Sequence, residues 1–215
     1  MKVLICTDAW YPQVNGVCRT LKNLGDELKK IGHDVEYIEP NLFFTIPMPK
    51  YNEIKLSLNV WPRVGTLIKK AKADVVHIAT EGPIGIFAKR YCVKNNIKFT
   101  TSYHTQFDKY LKLYYPYLPI KLAQKFLKNF HKKAEKILVT TQSMKEELKE
   151  IGFNKDQMVV WTRGANHSSF QNPKKINLEY KRPIFLYVGR VSIEKNIRAF
   201  LDLDLDGTKL IVGKG

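Results

Sequence analysis

A chain of 215 residues, 44% hydrophobic and 26% charged, has room for one large domain or one and a half ordinary ones, and its composition excludes a disordered polypeptide. The net charge is +16, but only seven of the 36 basic residues are Arg, and no helix-turn-helix, zinc-finger or RNA-binding signature is present. Base readout leans on bidentate Arg, so a nucleic-acid partner ranks last and polyanions in general (phosphates, acidic lipids, anionic sugars) rank first. No apolar run reaches membrane-spanning length, and Val3 to Cys6, followed by Asp8, is too short for a signal peptide. Cys6, Cys18 and Cys92 lack metal-ligand spacing and are expected as free thiols in a reducing cytoplasm.

Lys2 to Thr7 reads as a buried strand, followed by a loop through Trp10, Pro12 and Gly16. A helix is predicted from about Val17 to Ile31, because Leu21, Leu24, Leu28 and Ile31 fall on one face and Gly32 ends it. Val35 to Ile38 is a strand stopped by Pro40, and Asn41 to Pro62 reads as irregular apart from a strand at Ile54 to Leu58. A basic helix near Val64 to Ala73 leads into strand Val75 to Ala79, the loop Thr80-Glu81-Gly82-Pro83 and a helix over Ile84 to Lys94. Strand Lys98 to Tyr103 ends at His104. Helix 121–136, strand Ile137 to Thr141, a Ser143-capped helix to Ile151 and strand Met158 to Trp161 complete the first unit.

Helix 121–136 carries Lys121, Lys125, Lys128, Lys132 and Lys136 in a stripe, with Leu122, Phe126, Leu127, Phe130 and Ala134 expected in the core. The stripe follows Tyr110, Tyr114, Tyr115 and Tyr117, a composition suited to an anionic membrane surface as well as to an ordinary solvated helix. The polar stretch Arg163 to Arg182 reads as a linker. Beyond it, Ile184 to Val188 is a buried-strand pattern, Gly189 a tight turn, Arg190 a planar fork of donors and Lys195 a charge at a helix start. That combination suits a diphosphate. A second strand is predicted at Leu210 to Val212.

Strands alternating with helices predict an α/β fold: a Rossmann-like doubly wound parallel sheet, with an incomplete second unit of the same kind. Ligands of such sheets gather outside the carboxyl ends of the strands. Gly16, Glu81, His104 and Arg190 lie just past predicted strands, and Gly16 and Arg190 belong to different units, so a ligand is expected between them. In Val14-Asn15-Gly16-Val17, Gly16 lets an anion approach the amides of a helix N-terminus, or simply serves a turn. His104 suits a hydrogen bond to a sugar hydroxyl or leaving oxygen, or is satisfied within a polar loop. Asp202, Asp204 and Asp206 open like a calcium loop, but Gly213 stands where the bidentate Glu belongs, so no metal is expected.

Five segments in order resemble one family: Thr7-Asp8-Ala9-Trp10-Tyr11-Pro12-Gln13-Val14-Asn15-Gly16-Val17, Ala79-Thr80-Glu81-Gly82-Pro83-Ile84-Gly85, Thr101-Ser102-Tyr103-His104-Thr105, Trp161-Thr162-Arg163-Gly164 and Tyr187-Val188-Gly189-Arg190-Val191-Ser192-Ile193-Glu194-Lys195-Asn196. The chain resembles the retaining glycosyltransferases of the two-domain GT-B fold, family 4, in the branch of bacterial lipid mannosyltransferases and sulfolipid synthases. The resemblance covers essentially the whole chain. It implies an acceptor-binding domain over 1–168, a linker over 169–182 and, over 183–215, the incomplete start of a nucleotide-sugar-binding domain. It also implies transfer of a mannose-like hexose from a nucleotide-diphospho-sugar to a lipid or glycan hydroxyl with retention, without cofactor or metal.

By the same resemblance, Asn15, Gly16, Arg190 and Lys195 meet the donor diphosphate or sugar, His104 stands near the reacting centre, and Tyr11 and Glu81 lie on the acceptor side. Two departures stand out. Ala165-Asn166-His167 replaces the family's Val-Asp, and the family's Glu-x-Phe-Gly-x-x-x-Leu-Glu type of motif is missing from the sequence. The expectation is a C-terminally truncated member, inactive or weak alone, cytoplasmic and peripheral on the inner membrane face, with Lys121, Lys125, Lys128 and Lys132 toward the lipid. The alternatives are a non-catalytic membrane- or anion-binding module, and half of a split enzyme completed by a separate C-terminal half.

Overall fold

Residues 1–48, 51–104, 117, 119–164, 171 and 177–213 are described by a computed structural model of the chain. Strand β1 (Lys2–Cys6) pairs in parallel with β2 (Asp34–Ile38) on one side and β5 (Val75–Ile78) on the other. The sheet continues through β6 (Phe99–Tyr103), β7 (Lys136–Val139) and β8 (Met158–Val160), in the order β2-β1-β5-β6-β7-β8. A sheet parallel throughout must be covered on both faces, which is why β1 is a nearly unbroken apolar run. Alternation along β1 divides the core. Leu4 and Cys6 join the larger cluster with Ile78, Ile84, Phe99 and Leu127, while Val3 and Ile5 pack with Leu21 and Val35.

The connecting helices are α1 (Gly16–Lys30), α2 (Arg63–Ala71), α3 (Pro83–Lys94), α4 (Ile120–His131) and α5 (Gln142–Glu150). Between Asn41 and Pro62, β4 (Tyr51–Ser57) overlaps the strand expected at Ile54 to Leu58, and it pairs antiparallel with β3 (Thr45–Met48) in the stretch expected to be irregular. Pro47 concealed β3, since proline in a strand is tolerated at an edge such as this two-stranded ribbon provides.

Helix α4 ends at His131, five residues short of the prediction: a turn with Ala134 N–H on the His131 carbonyl intervenes, and Glu135 N–H already bonds Phe99 O in the sheet. Ala134 continued the helical apolar spacing while serving the core from that turn. On α4 itself, Leu127 and Phe130 are buried, but Leu122 and Phe126, expected in the core, are 58% and 41% exposed. The cap of α5 is Thr141, whose hydroxyl accepts the Met144 N–H at 3.1 Å, rather than Ser143.

A second, separate pair, β9 (Ile184–Val188) with β10 (Thr208–Val212), is parallel and joined through a 3-10 turn (Ile193–Lys195) and the short α6 (Ile197–Leu201). Leu186, Val188 and Val212 remain at least half exposed on this small sheet. The aspartate-rich segment is a connection, as read: Asp206 pairs with Lys181, and Gly207 at φ +152° lies against Pro183 O. Half of the linker 169–182, together with Tyr110, Tyr114, Tyr115 and Ala165-Asn166-His167, lies outside the described residues. Cys6, Cys18 and Cys92 are buried free thiols, and burial lifts Cys18 to about 11 and Cys92 to about 12. No described helix is long and apolar enough to cross a membrane.

Candidate functional site

The strand order reverses between β1 and β5, so the loops leaving their carboxyl ends diverge and open a crevice. Asp8, just after β1, spans that switch point. Its Oδ1 accepts the Ile84 N–H at 2.8 Å, and its Oδ2 accepts the Thr80 hydroxyl at 2.8 Å and the Gly85 N–H at 3.2 Å. The Asp8 N–H in turn donates to Thr80 Oγ1 at 2.7 Å. A carboxylate from one loop thus caps α3, to which its own positive end attracts it. Burial nevertheless dominates and pushes the carboxyl up to about 6, against those hydrogen bonds and with help from the Glu81 charge. The approach is close: a Cβ on Gly85 would stand 1.8 Å from Thr80 O.

Beyond Asp8, the loop turns into α1. Gln13 is buried, with its amide on Asp8 O at 3.3 Å, and Asn15 caps the helix by accepting the Cys18 N–H at 3.0 Å. The amides of Gly16 and Val17, in the first turn, have no intrahelical acceptor. A Cβ on Gly16 would meet no atom within 4 Å, so packing does not require glycine here. The empty space faces a cleft of about 490 Å³ lined by Tyr11, Asn15, Gly16, Gly189, Arg190 and Gly213, among others. Tyr187 OH donates to Arg190 O at 2.9 Å, and Gly213 at φ +152° lies so close to Gly189 O that a Cβ would stand 1.8 Å away. The 189–190 turn is thereby held from two sides. The Arg190 guanidinium lies 3.9 Å from the carboxylate of Glu194, four residues further along the chain.

The structure thus brings Tyr11, Asn15, Gly16 and Arg190 to one cleft, and leaves three other expected residues off its lining. Lys195 is exposed at the end of the 3-10 turn, not at a helix start, because Asn196 takes a left-handed conformation before α6 begins. Glu81 turns inward: its Oε1 is 3.2 Å from Nε2 of the fully buried His131, whose Nδ1 is 2.9 Å from Thr101 Oγ1. His104 follows β6, two strands from β1, or about 10 Å across the sheet. Its carbonyl accepts from Arg163 Nη2 at 3.3 Å, its ring lies 6.2 Å from that of Trp161, and its Nε2 is buried without a partner. Burial, then the charge of Arg163 and the neighbouring His77 and His131, lower it to about 3, so it is neutral near pH 7.

Arg163 and Asp8 had drawn no individual role from the sequence. Arg163 sits at φ +65°, uncommon for a side chain of its size, with Nε buried and unpartnered beside His104. The repeated Gly82 and Gly85 were the only local trace of Asp8's task, since its partners lie more than 70 residues away. Chemically, the cleft offers amides and a guanidinium to a multiply charged anion, with a neutral imidazole to one side.

An open parallel sheet with a switch-point crevice, together with a second βαβ start, is a Rossmann-like α/β framework. Residues 14–169 match Glycosyltransferase Family 4, and the chain belongs to that family. It is 26% identical over 195 residues to a sulfoquinovosyl transferase of Arabidopsis thaliana, covering 83% of this chain and 38% of that protein. It is 22% identical over 227 residues to an alpha-monoglucosyldiacylglycerol synthase of Streptococcus pneumoniae, covering 94% and 51%. The chain therefore spans about half or less of the length of these two relatives. Among solved structures, Anabaena HepE in complex with UDP and glucose superposes with a TM-score of 0.64 at 11% identity, over 99% of this chain and 60% of that one. The fold is the GT-B fold.

Proposed function

We propose that the chain forms the acceptor-side domain and the opening βαβ unit of the donor-side domain of a retaining hexosyltransferase. Its donor is a nucleotide-diphospho-sugar, mannose-like in its hexose, and its acceptor a lipid or glycan hydroxyl. The observation that carries this reading is the cleft in which Gly16 and Arg190, 174 positions apart, face a common space. The amides of Gly16 and Val17 and the Arg190 guanidinium would hold the diphosphate, with Asn15 keeping the helix end in place. As the bond from the sugar C1 to the diphosphate oxygen breaks, negative charge grows where these donors already point, which lowers the barrier without a metal. The acceptor oxygen forms the new bond to C1 from the same face, and its proton passes to the departing diphosphate. His104, neutral, donates or accepts a hydrogen bond at the sugar; Tyr11 borders the acceptor side, and Lys195 adds long-range attraction only.

The test is equilibrium titration of the chain with UDP and with GDP, beside Arg190→Ala. Saturable binding lost in the variant supports the reading; equal binding by the variant, or none by either chain, overturns it. The resemblance to enzymes with a longer donor half makes weak transfer the expectation for this chain alone. Adding a separate C-terminal half that carries the paired glutamates is expected to raise it.

Exposed Leu122 and Phe126 beside Lys121, Lys125 and Lys128 favour a second feature of the same protein, peripheral attachment of α4 to an anionic membrane surface. Tyr117, 97% exposed just before the helix, suits the same interface. Cosedimentation with vesicles rich in phosphatidylglycerol, reduced in Leu122→Ser/Phe126→Ser, is the expected result. Unchanged cosedimentation would refute attachment through α4.

A further inference from the structure

The last turns of α3 and α4 border a second concavity of about 490 Å³. Its lining includes Lys89, Arg90, Lys94, Lys132, Lys133 and Asn129, and no acidic residue. Helices that connect parallel strands run back along the sheet, so their C-terminal ends lie at the edge opposite the strands' carboxyl ends. This pocket is therefore on the far side of the sheet from Gly16 and Arg190.

Basic residues near a helix C-terminus ordinarily complement its dipole, but the dipole is too small to explain these. Two helix ends amount to about one negative charge in total, against five cations around one hollow. Elsewhere lysines find carboxylates, as Lys2 does in Glu36, Lys22 in Asp26 and Lys98 in Glu135. Among the described residues, none of the five pocket cations is in such a pair. The two that are fixed are fixed by neutral groups. Lys89 Nζ donates to Asn129 O at 2.7 Å and stands 5.7 Å from the Phe130 ring centroid, while the Arg90 guanidinium stands 5.3 Å from that of Phe87. A carbonyl and an aromatic face orient a cation and leave its charge uncompensated. Like charges gathered around a hollow repel one another until an anion joins them.

We infer that this pocket is a binding site for a phosphate-bearing anion, separate from the donor cleft and independent of the reaction proposed there. Arg90 supplies a planar fork for two phosphate oxygens, and the lysines supply point charges around it. The volume admits more than a single phosphate, in the range of small-molecule sites. The phosphate can belong to a soluble anion or to a lipid headgroup.

The experiment follows backbone amide shifts of the ¹⁵N-labelled 215-residue chain during titration with inorganic pyrophosphate, and measures cosedimentation with phosphatidylcholine vesicles containing phosphatidylglycerol. Three variants are compared with the parent: Lys94→Gln/Lys133→Gln in the pocket, Lys121→Gln/Lys125→Gln on the lysine stripe of α4 as a matched loss of charge, and Arg190→Ala in the cleft. The expected result is a set of shifts at 89–94 and 129–133 whose midpoint moves at least about ten-fold in the pocket variant and stays within about two-fold in the other two. Vesicle binding lost in the pocket variant but kept in Arg190→Ala, without pyrophosphate shifts, also supports the site and assigns the phosphate to a headgroup. Equal weakening of pyrophosphate binding by both lysine pairs would mean attraction to the overall positive charge and overturn the inference. So would the absence of both pocket shifts and any selective loss of vesicle binding.

Discussion

Replacing Asp8 by Asn removes a titrating group while leaving nearly the same shape between β1 and α3. In the folded chain the Asp8 carboxyl titrates near 6, against an ordinary value of 3.8. The folded state therefore holds a proton that the unfolded state has lost between those two values, and stability falls as pH rises through that window. About two units at ~1.4 kcal/mol each make the fall about 3 kcal/mol. His77 acts in the opposite direction: it is 5% exposed and lowered to about 4 by burial, from an ordinary 6.5. Its stabilising contribution is present above 6.5 and is lost as pH falls through 4, about 3 kcal/mol over the window. His104, lowered to about 3, adds to the same slope. In the parent chain His77 alone largely offsets Asp8 between pH 4 and 6, and His104 leaves a net rise in stability with pH.

Asp8→Asn also turns an amide toward the Gly85 N–H and loses that bond, a cost of about 1–3 kcal/mol that does not vary with pH. The readout is therefore the difference between variant and parent in urea unfolding, measured at half-unit steps from pH 4 to 7. It is expected to move by about 3 kcal/mol in favour of the variant as pH rises. A flat difference would falsify the burial of this carboxyl. A trend in favour of the parent would show that the hydrogen bonds from Ile84, Gly85 and Thr80 outweigh burial.

Gly16→Ala is expected to leave stability unchanged or raised by up to about 1 kcal/mol, because the new methyl meets no atom and the unfolded chain loses freedom. The same methyl enters the cleft and should weaken UDP or GDP binding at least about ten-fold; undiminished binding would remove the α1 amides from the site. Gly85→Ala drives a methyl onto Thr80 O and should cost about 2–3 kcal/mol in urea unfolding, with a cost near zero contradicting the close approach. His131→Ala leaves a cavity and strips Glu81 and Thr101 of a partner, for a loss of about 3–5 kcal/mol. Glu81→Gln keeps an acceptor for His131 and should cost under about 1 kcal/mol; a larger loss from Glu81→Gln than from His131→Ala would show the pair is misread.

Much of the α/β order was legible locally. The apolar run Val3 to Cys6 and the spacing of Leu21, Leu24 and Leu28 each need only their own neighbours to declare a strand and a helix. The cleft residues Asn15, Gly16 and Arg190 were also visible, because glycine turns and helix starts beside cations are short-range patterns. Strand β3, the partner of the expected strand near Ile54, was hidden by Pro47, whose tolerance depends on an edge that exists only once the ribbon forms.

Where each side chain points was decided by the tertiary structure alone. Glu81 follows a strand as a cleft residue should, yet turns to His131, 50 positions away. Leu122 and Phe126 share helical spacing with Leu127 and Phe130, but only the latter pair finds a core surface opposite it. The same holds for the pocket between α3 and α4, whose cations come from two helices that parallel β-sheet pairing sets side by side. Sequence dictates periodicity and turns because these depend on neighbours along the chain. Burial, pairing and pocket lining depend on neighbours in space, and those are fixed only when the strands take their order in the sheet.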